Sequence, residues 1–234
     1  MTLGIKRRRF ETRDHFVFEY TMPFYGFADV RAHLLIRRDN GHALMVDCGP
    51  PGRGKKLGDA IASDLEGNDL KGILLTHAHL DHVGDVAELK KRFDAPLIAH
   101  SEDAKALRTG VLDIPRYVFR SRLLGVGLAV IHPFCPVVQI DVAHSGEHEI
   151  EGFGRLLPTP GHHRNQVALI LDSGDAMVGD SVAVAGGRLS VNLFYDQWED
   201  SIRSIDVLAK NVTGTMYTGH WDPRPASELK NVRH

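Results

Sequence analysis

A chain of 234 residues, 43% hydrophobic and 25% charged, can bury a full core, and its size fits one α/β domain over 1–234. The formal net charge of −2 provides no basic field to gather nucleic acid or an anionic membrane, so neither is expected as a partner. Only Cys48 and Cys135 are present, without CxxC spacing, which excludes a disulfide framework and fits a reducing compartment.

The run Lys6 to Arg9 reads as a solvated end, and Glu11, Arg13 and Asp14 interrupt any apolar stretch behind it. That argues against a secretory signal, and a cytoplasmic location is expected. Short β-rich runs follow at 15–20 (HFVFEY), 30–37 (VRAHLLIR) and 43–47 (ALMVD), separated by turn-rich segments. Leu57, Ile61 and Leu65 space a helix over 55–65, and 72–75 is the next strand. Val83, Val86, Leu89 and Phe93 recur at helical spacing until Asp94-Ala95-Pro96 stops them before a strand at 97–99.

Residues 101–108 read as helical with Ser101 as N-cap. The stretch 123–140 has no Asp, Glu, Lys or Arg, but Gly125, Gly127, Pro133 and Pro136 would break a membrane helix, so it reads as a buried helix end, loop and strand. Strands return at 137–142, 155–157, 167–171 and 176–179; a helix at 198–209 and a last strand at 215–218 complete the chain. Each half runs strands, helix, strand with polar clusters at the strand ends. The fold class is therefore α/β, a sandwich of two mixed β-sheets with helices on the outer faces.

The composition includes 14 histidines, and three of them fall in THAHLDHVG at 76–84. His77 and His79 are two apart, so in an extended turn both can face one ion. Asp81 and His82 come as the chain bends into a helix, which aims them at a neighbouring position, and the spacing suits two adjacent metals. THAHLDH resembles the HxHxDH signature of the metallo-β-lactamase superfamily. Pro160-Gly161-His162 matches that family's third histidine, Val178-Gly179-Asp180 its bridging aspartate, Tyr217 to His220 its last histidine, and Val46 to Pro50 its VDxG turn.

The resemblance implies an αβ/βα sandwich over 10–222. It also implies that His77, His79 and His162 hold one metal, that Asp81, His82 and His220 hold a second, and that Asp180 bridges them. Zn2+ suits the donors best, and Fe2+ or Mn2+ accept the same set. Two divalent ions roughly 3.5–4 Å apart can share a water, lower its pKa from 15.7 toward about 7, and polarise the oxygen under attack. Asp81 would orient the resulting hydroxide and carry its proton. Asp47 would accept from the far nitrogen of a liganding imidazole, and Cys48 has no role in the metals.

Where many members of the superfamily read PGHTPG, this chain reads PGHHRNQ. His163 and Arg164 there could hold a substrate carboxylate or phosphate. Phe24 and Tyr25, in a loop placed like the family's flap, and Trp221 beside His220 are further candidates for the substrate pocket. The other histidines, His15, His33, His42, His100, His132, His144, His148 and His234, read as strand, loop or tail residues. The segment 116–128 could cap the substrate, and with its continuation to 140 it could form a homodimer interface.

Glyoxalase-type thioesterases of the family usually add a helical C-terminal region, whereas 14 residues follow His220 here. Nucleic-acid-processing branches add an inserted domain or a basic arm, and flavodiiron members place Glu where His79 stands. The reading that remains is a binuclear metal-dependent hydrolase of a small ester-like substrate, a lactone or thioester before a phosphodiester or β-lactam. The alternative is an iron-dependent oxidoreductase of the persulfide dioxygenase type on the same ligands.

Overall fold

The computed structural model describes residues 4–24, 26, 28–112 and 137–232. Tyr25 and the segment 116–128, named above as pocket candidate and cap, lie outside the described residues, as does Cys135.

The first sheet has seven strands in chain order. They are β1 (Lys6–Glu11), β2 (His15–Phe24), β3 (Ala28–Arg37), β4 (Ala43–Val46), β5 (Leu70–Leu74), β6 (Leu97–His100) and β7 (Val142–His144). The first four pair antiparallel and β4 to β7 pair parallel, as the helical crossovers require. These crossovers are α1 (Gly54–Leu65), α2 (Leu80–Val83), α3 (Val86–Phe93) and α4 (Ala104–Thr109).

The second sheet is built from β8 (His148–Ile150), β9 (Gly154–Pro158), β10 (Val167–Leu171), β11 (Ala176–Gly179), β14 (Thr215–Thr218) and β15 (Arg224–Pro225), in the order β15-β14-β11-β10-β9-β8. A separate ribbon pairs β12 (Ala183–Ala185) with β13 (Arg188–Ser190), and α5 (Trp198–Asn211) covers the outside.

Period-two alternation assigns each face. Val17, Leu35, Leu44, Val46 and Leu74 pack inward against Leu156, Val167, Leu169, Leu171 and Met177 of the other sheet. Their chain neighbours Phe18, Leu34, Ile36, Met45 and Ile73 turn outward under Leu57, Ile61 and Leu89 of the helices. On the second sheet Ala168, Ile170, Val178 and Met216 meet Ile205 and Leu208 of α5. The result is the helix, sheet, sheet, helix layering expected from the sequence.

The basic run is solvated as expected, and it is also an edge strand: Arg8 lies opposite Glu19 in register and donates to its carboxylate, and the Arg9 guanidinium covers the Phe16 ring. Three local expectations are corrected. The helix expected from 83 to 93 breaks at Gly84-Asp85, because the Asp85 carboxylate accepts from the Gly52 and Arg53 amides and Gly84 donates to Gly49. Ser101 does not cap; the His100 ring accepts from the Glu102 amide and the first turn is 3-10. The strand expected at 137–142 forms only from Val142 to His144, where β6 offers it a partner.

Glu19 is enclosed by charge, with Arg8 at 2.6 Å, Arg31 at 3.4 Å and His33 at 3.6 Å. Burial opposes its ionisation, but His33, Arg8 and Arg31 prevail and pull its pKa down to about 2. A carboxyl depressed in the fold stabilises above its unfolded value near 4.5, and that contribution is lost as pH falls toward about 2. The interval corresponds to stabilisation on the order of 3 kcal/mol. The urea midpoint of the native protein should therefore fall steeply between those values, and Glu19→Gln should flatten the fall. An equally steep fall in the variant would remove Glu19 as its source.

Candidate metal centre

Five of the seven motif residues follow the C-terminal end of a strand. His77 and His79 follow β5, His162 follows β9, Asp180 follows β11 and His220 follows β14, while Asp81 and His82 sit in the single turn of α2. The two sheets are joined at this end by the Val167 amide donating to the Thr76 carbonyl. A register shift between Met177 and Gly179 turns the end of β11 so that Asp180 is delivered into the cluster. The backbone leaves no room there: a Cβ on Gly219 would stand 2.2 Å from the Asp180 Oδ1 and 2.7 Å from the His82 ring.

Three overlapping groups of ligand atoms converge, each with its atoms within 4.8 Å: His77, His79 and His162; His77, His82 and Asp180; Asp81, His82 and His220. The first and third are the triads implied by the sequence. Asp180 lies between them, its carboxylate 3.3 Å from His162 Nε2, 3.0 Å from His220 Nε2 and 3.5 Å from His82 Nε2. Asp81 Oδ2 stands 3.3 Å from His220 Nε2. His79 Nδ1 and His162 Nε2 are 2.8 Å apart.

The donor set fits divalent metals. His77 Nε2, His82 Nε2 and Asp180 Oδ1 are buried and make no hydrogen bond, although buried polar atoms nearly always do. Their far sides are fully engaged. Asp47, whose backbone φ of 60° lies in the left-handed region, accepts from the Thr76 amide and hydroxyl, and its Oδ2 stands 2.8 Å from His82 Nδ1. Thr76 Oγ1 is 3.0 Å from His77 Nδ1. The Phe194 carbonyl is 2.5 Å from His162 Nδ1, and the Asp29 carbonyl is 2.9 Å from His220 Nδ1. Each acceptor leaves the inward nitrogen as the donor to an ion.

Charge follows the same division. Burial, with neighbouring imidazoles, holds His77 and His79 well below the ordinary histidine range. Burial also acts on His82, but Asp180, Asp81 and Asp47 outweigh it and raise that imidazole to about 9. Burial would push Asp180 up, but His220, His82 and His162 drive it far down, so the carboxylate stays ionised.

The substrate candidates separate. His163 is buried, and burial and then His162 and His100 pull it down to about 3, which favours its neutral form. Arg164 is exposed and lines a cavity of about 320 Å³ with Ala78, Lys105, Leu112, His163 and Asn165. Because Ala78 lies between two ligands and His163 follows a third, this cavity adjoins the centre. A larger hollow of about 630 Å³ under Tyr195 and Trp198 includes none of the seven residues in its wall.

Trp221 is half-buried, its ring 5.6 Å from that of His220. Phe24 is half-buried where β2 ends, whereas Met22, in the same apolar stretch, is core. The sequence reading missed Thr76, which stands inside the motif itself. It also missed Asn192, whose amide donates to the Asp180 carbonyl and accepts from the Phe194 amide. Asp103, hydrogen-bonded by Asn165 at 2.7 Å and raised by burial to about 6, was missed as well.

The family described as the metallo-beta-lactamase superfamily matches residues 31–220, which include all seven converging residues. The chain belongs to that superfamily. Among its relatives is the probable metallo-hydrolase YflN of Bacillus subtilis (strain 168), 31% identical over 150 residues, 59% of this chain and 55% of that protein. A hydroxyacylglutathione hydrolase of Bradyrhizobium sp. (strain ORS 278) is 32% identical over 164 residues, 68% of this chain and 52% of its own length. The chain thus spans about half the length of these two relatives.

A metallo-beta-lactamase family protein from Thermus thermophilus superposes with a TM-score of 0.65 at 23% identity, covering 92% of this chain and 77% of that one, which shows the shared fold. With that fold and a buried His/Asp cluster, the chain is a metallo-beta-lactamase superfamily member whose donor set suits a divalent metal. Among the described residues no helix is long and apolar enough to cross a membrane.

Proposed function

We propose that this protein hydrolyses a small ester-like molecule, a lactone or thioester, with two divalent metal ions, Zn2+ in the first instance. The observation that carries the reading is Asp180. One buried carboxylate faces imidazoles of both triads while its Oδ1 accepts no hydrogen bond, the arrangement expected of a ligand shared by two ions. Bound there, such ions supply a nucleophilic water at neutral pH and polarise the carbonyl under attack.

The chain's own residues supply the rest. Asp81 and His220 are the most accessible of the seven, with side chains 16% and 14% exposed. Burial would raise Asp81, but His82 and His220 lower it, so its carboxylate is available to accept the proton of the attacking water. Arg164 and Lys105, at the cavity beside Ala78, are placed to attract a carboxylate on the substrate, and Leu112 offers an apolar wall. Trp221 borders the His220 side. The relatives' names, a metallo-hydrolase and a hydroxyacylglutathione hydrolase, point to the same reaction class.

The test is metal analysis of protein purified without chelators, followed by turnover assays on lactones, thioesters, phosphodiesters and β-lactams. About two zinc ions per chain and turnover of lactones or thioesters are expected. Predominant iron with oxygen uptake on a persulfide would overturn the hydrolase reading in favour of redox chemistry.

A further inference from the structure

The loop that joins β13 to α5 wraps around the turn carrying His162. The Phe194 carbonyl stands 2.5 Å from His162 Nδ1, and the Asp196 and Gln197 amides both donate to the Gly161 carbonyl, at 2.7 and 2.9 Å. The first turn of α5 closes the wrap so tightly that a Cβ on Gly161 would stand 2.2 Å from Ser201 Oγ. His162 is thus held from behind by one continuous stretch of chain.

Asn192, at the start of that stretch, reaches two candidate ligands at once. Its Nδ2 donates to the Asp180 carbonyl at 3.0 Å and stands 3.3 Å from His162 Nδ1, while its Oδ1 accepts from the Phe194 amide at 3.0 Å. The partners fix which way the side-chain amide faces, because a carbonyl needs a donor and an N–H needs an acceptor. With its amide tied to Asn192, Phe194 aims its carbonyl at His162 Nδ1, and Nε2 is left as the inward donor.

Burial along the loop is inverted. Asn192 is 2% exposed, whereas the apolar residues that follow it, Leu193 and Phe194, are 69% and 50% exposed. Burial of apolar surface alone would select the opposite arrangement. The inversion is explained by a backbone committed to the ligands, with the side chains left to take the outside. An asparagine that only shaped a turn would need no more than its bond to the amide two residues on. The bond to the Asp180 carbonyl, 12 residues back, is not a requirement of the turn.

Across the site, Asp47 does the equivalent work from the first sheet, engaging Thr76 and His82. We propose that Asn192 is a positioning residue, the second sheet's counterpart of Asp47. It sets the His162 ring and the Asp180 backbone, so that the metal affinity of the His77, His79 and His162 group is tuned separately from that of the Asp81, His82 and His220 group. The proposal rests on the cluster being a two-metal centre and is independent of which substrate is turned over.

The test compares the metal-loaded native protein with Asn192→Leu, which keeps the shape and removes both hydrogen bonds, and with Asn192→Ser. Circular dichroism checks the fold, a chromophoric chelator competes for Zn2+, and cobalt-loaded samples report the ligand field. One binding event should weaken about 10–100-fold and the other stay near native, the reverse of the pattern expected of Asp47→Asn, with shifted cobalt bands. If an ester is turned over, kcat should fall with KM unchanged, since Asn192 is not in the wall of the 320 Å³ cavity.

Two native binding events and native cobalt bands in a folded variant would overturn the proposal. Equal weakening of both events would overturn the division between the two sheets. Should Asn192→Leu fail to fold, Asn192→Ser decides by the same readouts. A native protein that turns over no ester, with one event still weakened in the variants, would overturn the hydrolase reading and support Asn192 as the positioning residue.

Discussion

Asp180→Ala should empty the candidate centre. Bound metal after gel filtration is expected to fall well below the native content, and turnover of whichever ester proves active should drop by more than the roughly 10–100-fold typical of losing a partner outside the ligand set. The physical reason is that Asp180 is, among the described residues, the one anion facing imidazoles of both triads, at 3.0 Å from His220, 3.3 Å from His162 and 3.5 Å from His82. Without it, two clusters of buried rings face each other with no bridging donor, and the remaining carboxylates, Asp81 and Asp47, both stand on the His82 side.

Metal content, measured by elemental analysis, and folding, measured by circular dichroism, separate two causes of lost activity. A folded variant with depleted metal is the expected result. Native metal content and native turnover together would remove Asp180 from the site altogether. Because a Cβ on Gly219 would collide with the same carboxylate oxygen and with the His82 ring, the chain has to leave β14 toward the site through glycine.

The parts of this centre that were legible in the sequence share a property: their signal is local. THAHLDH places four candidate ligand side chains within six residues, and His162, Asp180 and His220 each come with a preceding glycine at the end of a short strand, so strand end and candidate ligand are read together. The β-rich runs 15–20, 30–37 and 167–171 are likewise recognised as strands from their own residues, whereas the face each side chain takes is set by the partner layers. What was not legible depends on partners distant in sequence.

The arginines of β1 are solvated as their sequence suggests, but that they form a strand, with Glu19 and the Phe16 ring beside them, depends on the β1–β2 register. The break at Gly84-Asp85 exists because the 49–53 loop folds back onto the carboxylate of Asp85. The doubled histidine at 162–163 suggests charge, yet burial favours the neutral form of His163. Short strands such as β8 and β12 are three residues each and hold too few alternating side chains to stand out from a loop.

Asp47→Asn is the second large effect expected, and it tests how far the centre depends on groups that touch no metal. In the native chain Asp47 does three things at once: it accepts from the Thr76 amide at 2.8 Å, from the Thr76 hydroxyl at 2.8 Å, and stands 2.8 Å from His82 Nδ1. The first two fix the residue that precedes His77; the third holds the His82 ring so that Nε2 points inward. Its strained left-handed backbone is kept because those bonds, together with the Asp47 amide donating to Leu74 and the Cys48 amide donating to the His82 carbonyl, over-determine the turn.

Asparagine tolerates that backbone conformation, so the fold should survive. It offers one acceptor oxygen instead of two, and no negative charge, to donors that need both. The metal affinity of the Asp81, His82 and His220 group is therefore expected to fall about 10–100-fold, with kcat reduced alongside it and the His77, His79 and His162 group less affected. Competition with a chromophoric chelator would show this as one weakened and one near-native binding event. Two native binding events would confine Asp47 to holding the turn, and equal weakening of both would mean that Thr76 and His77, rather than His82, carry its influence.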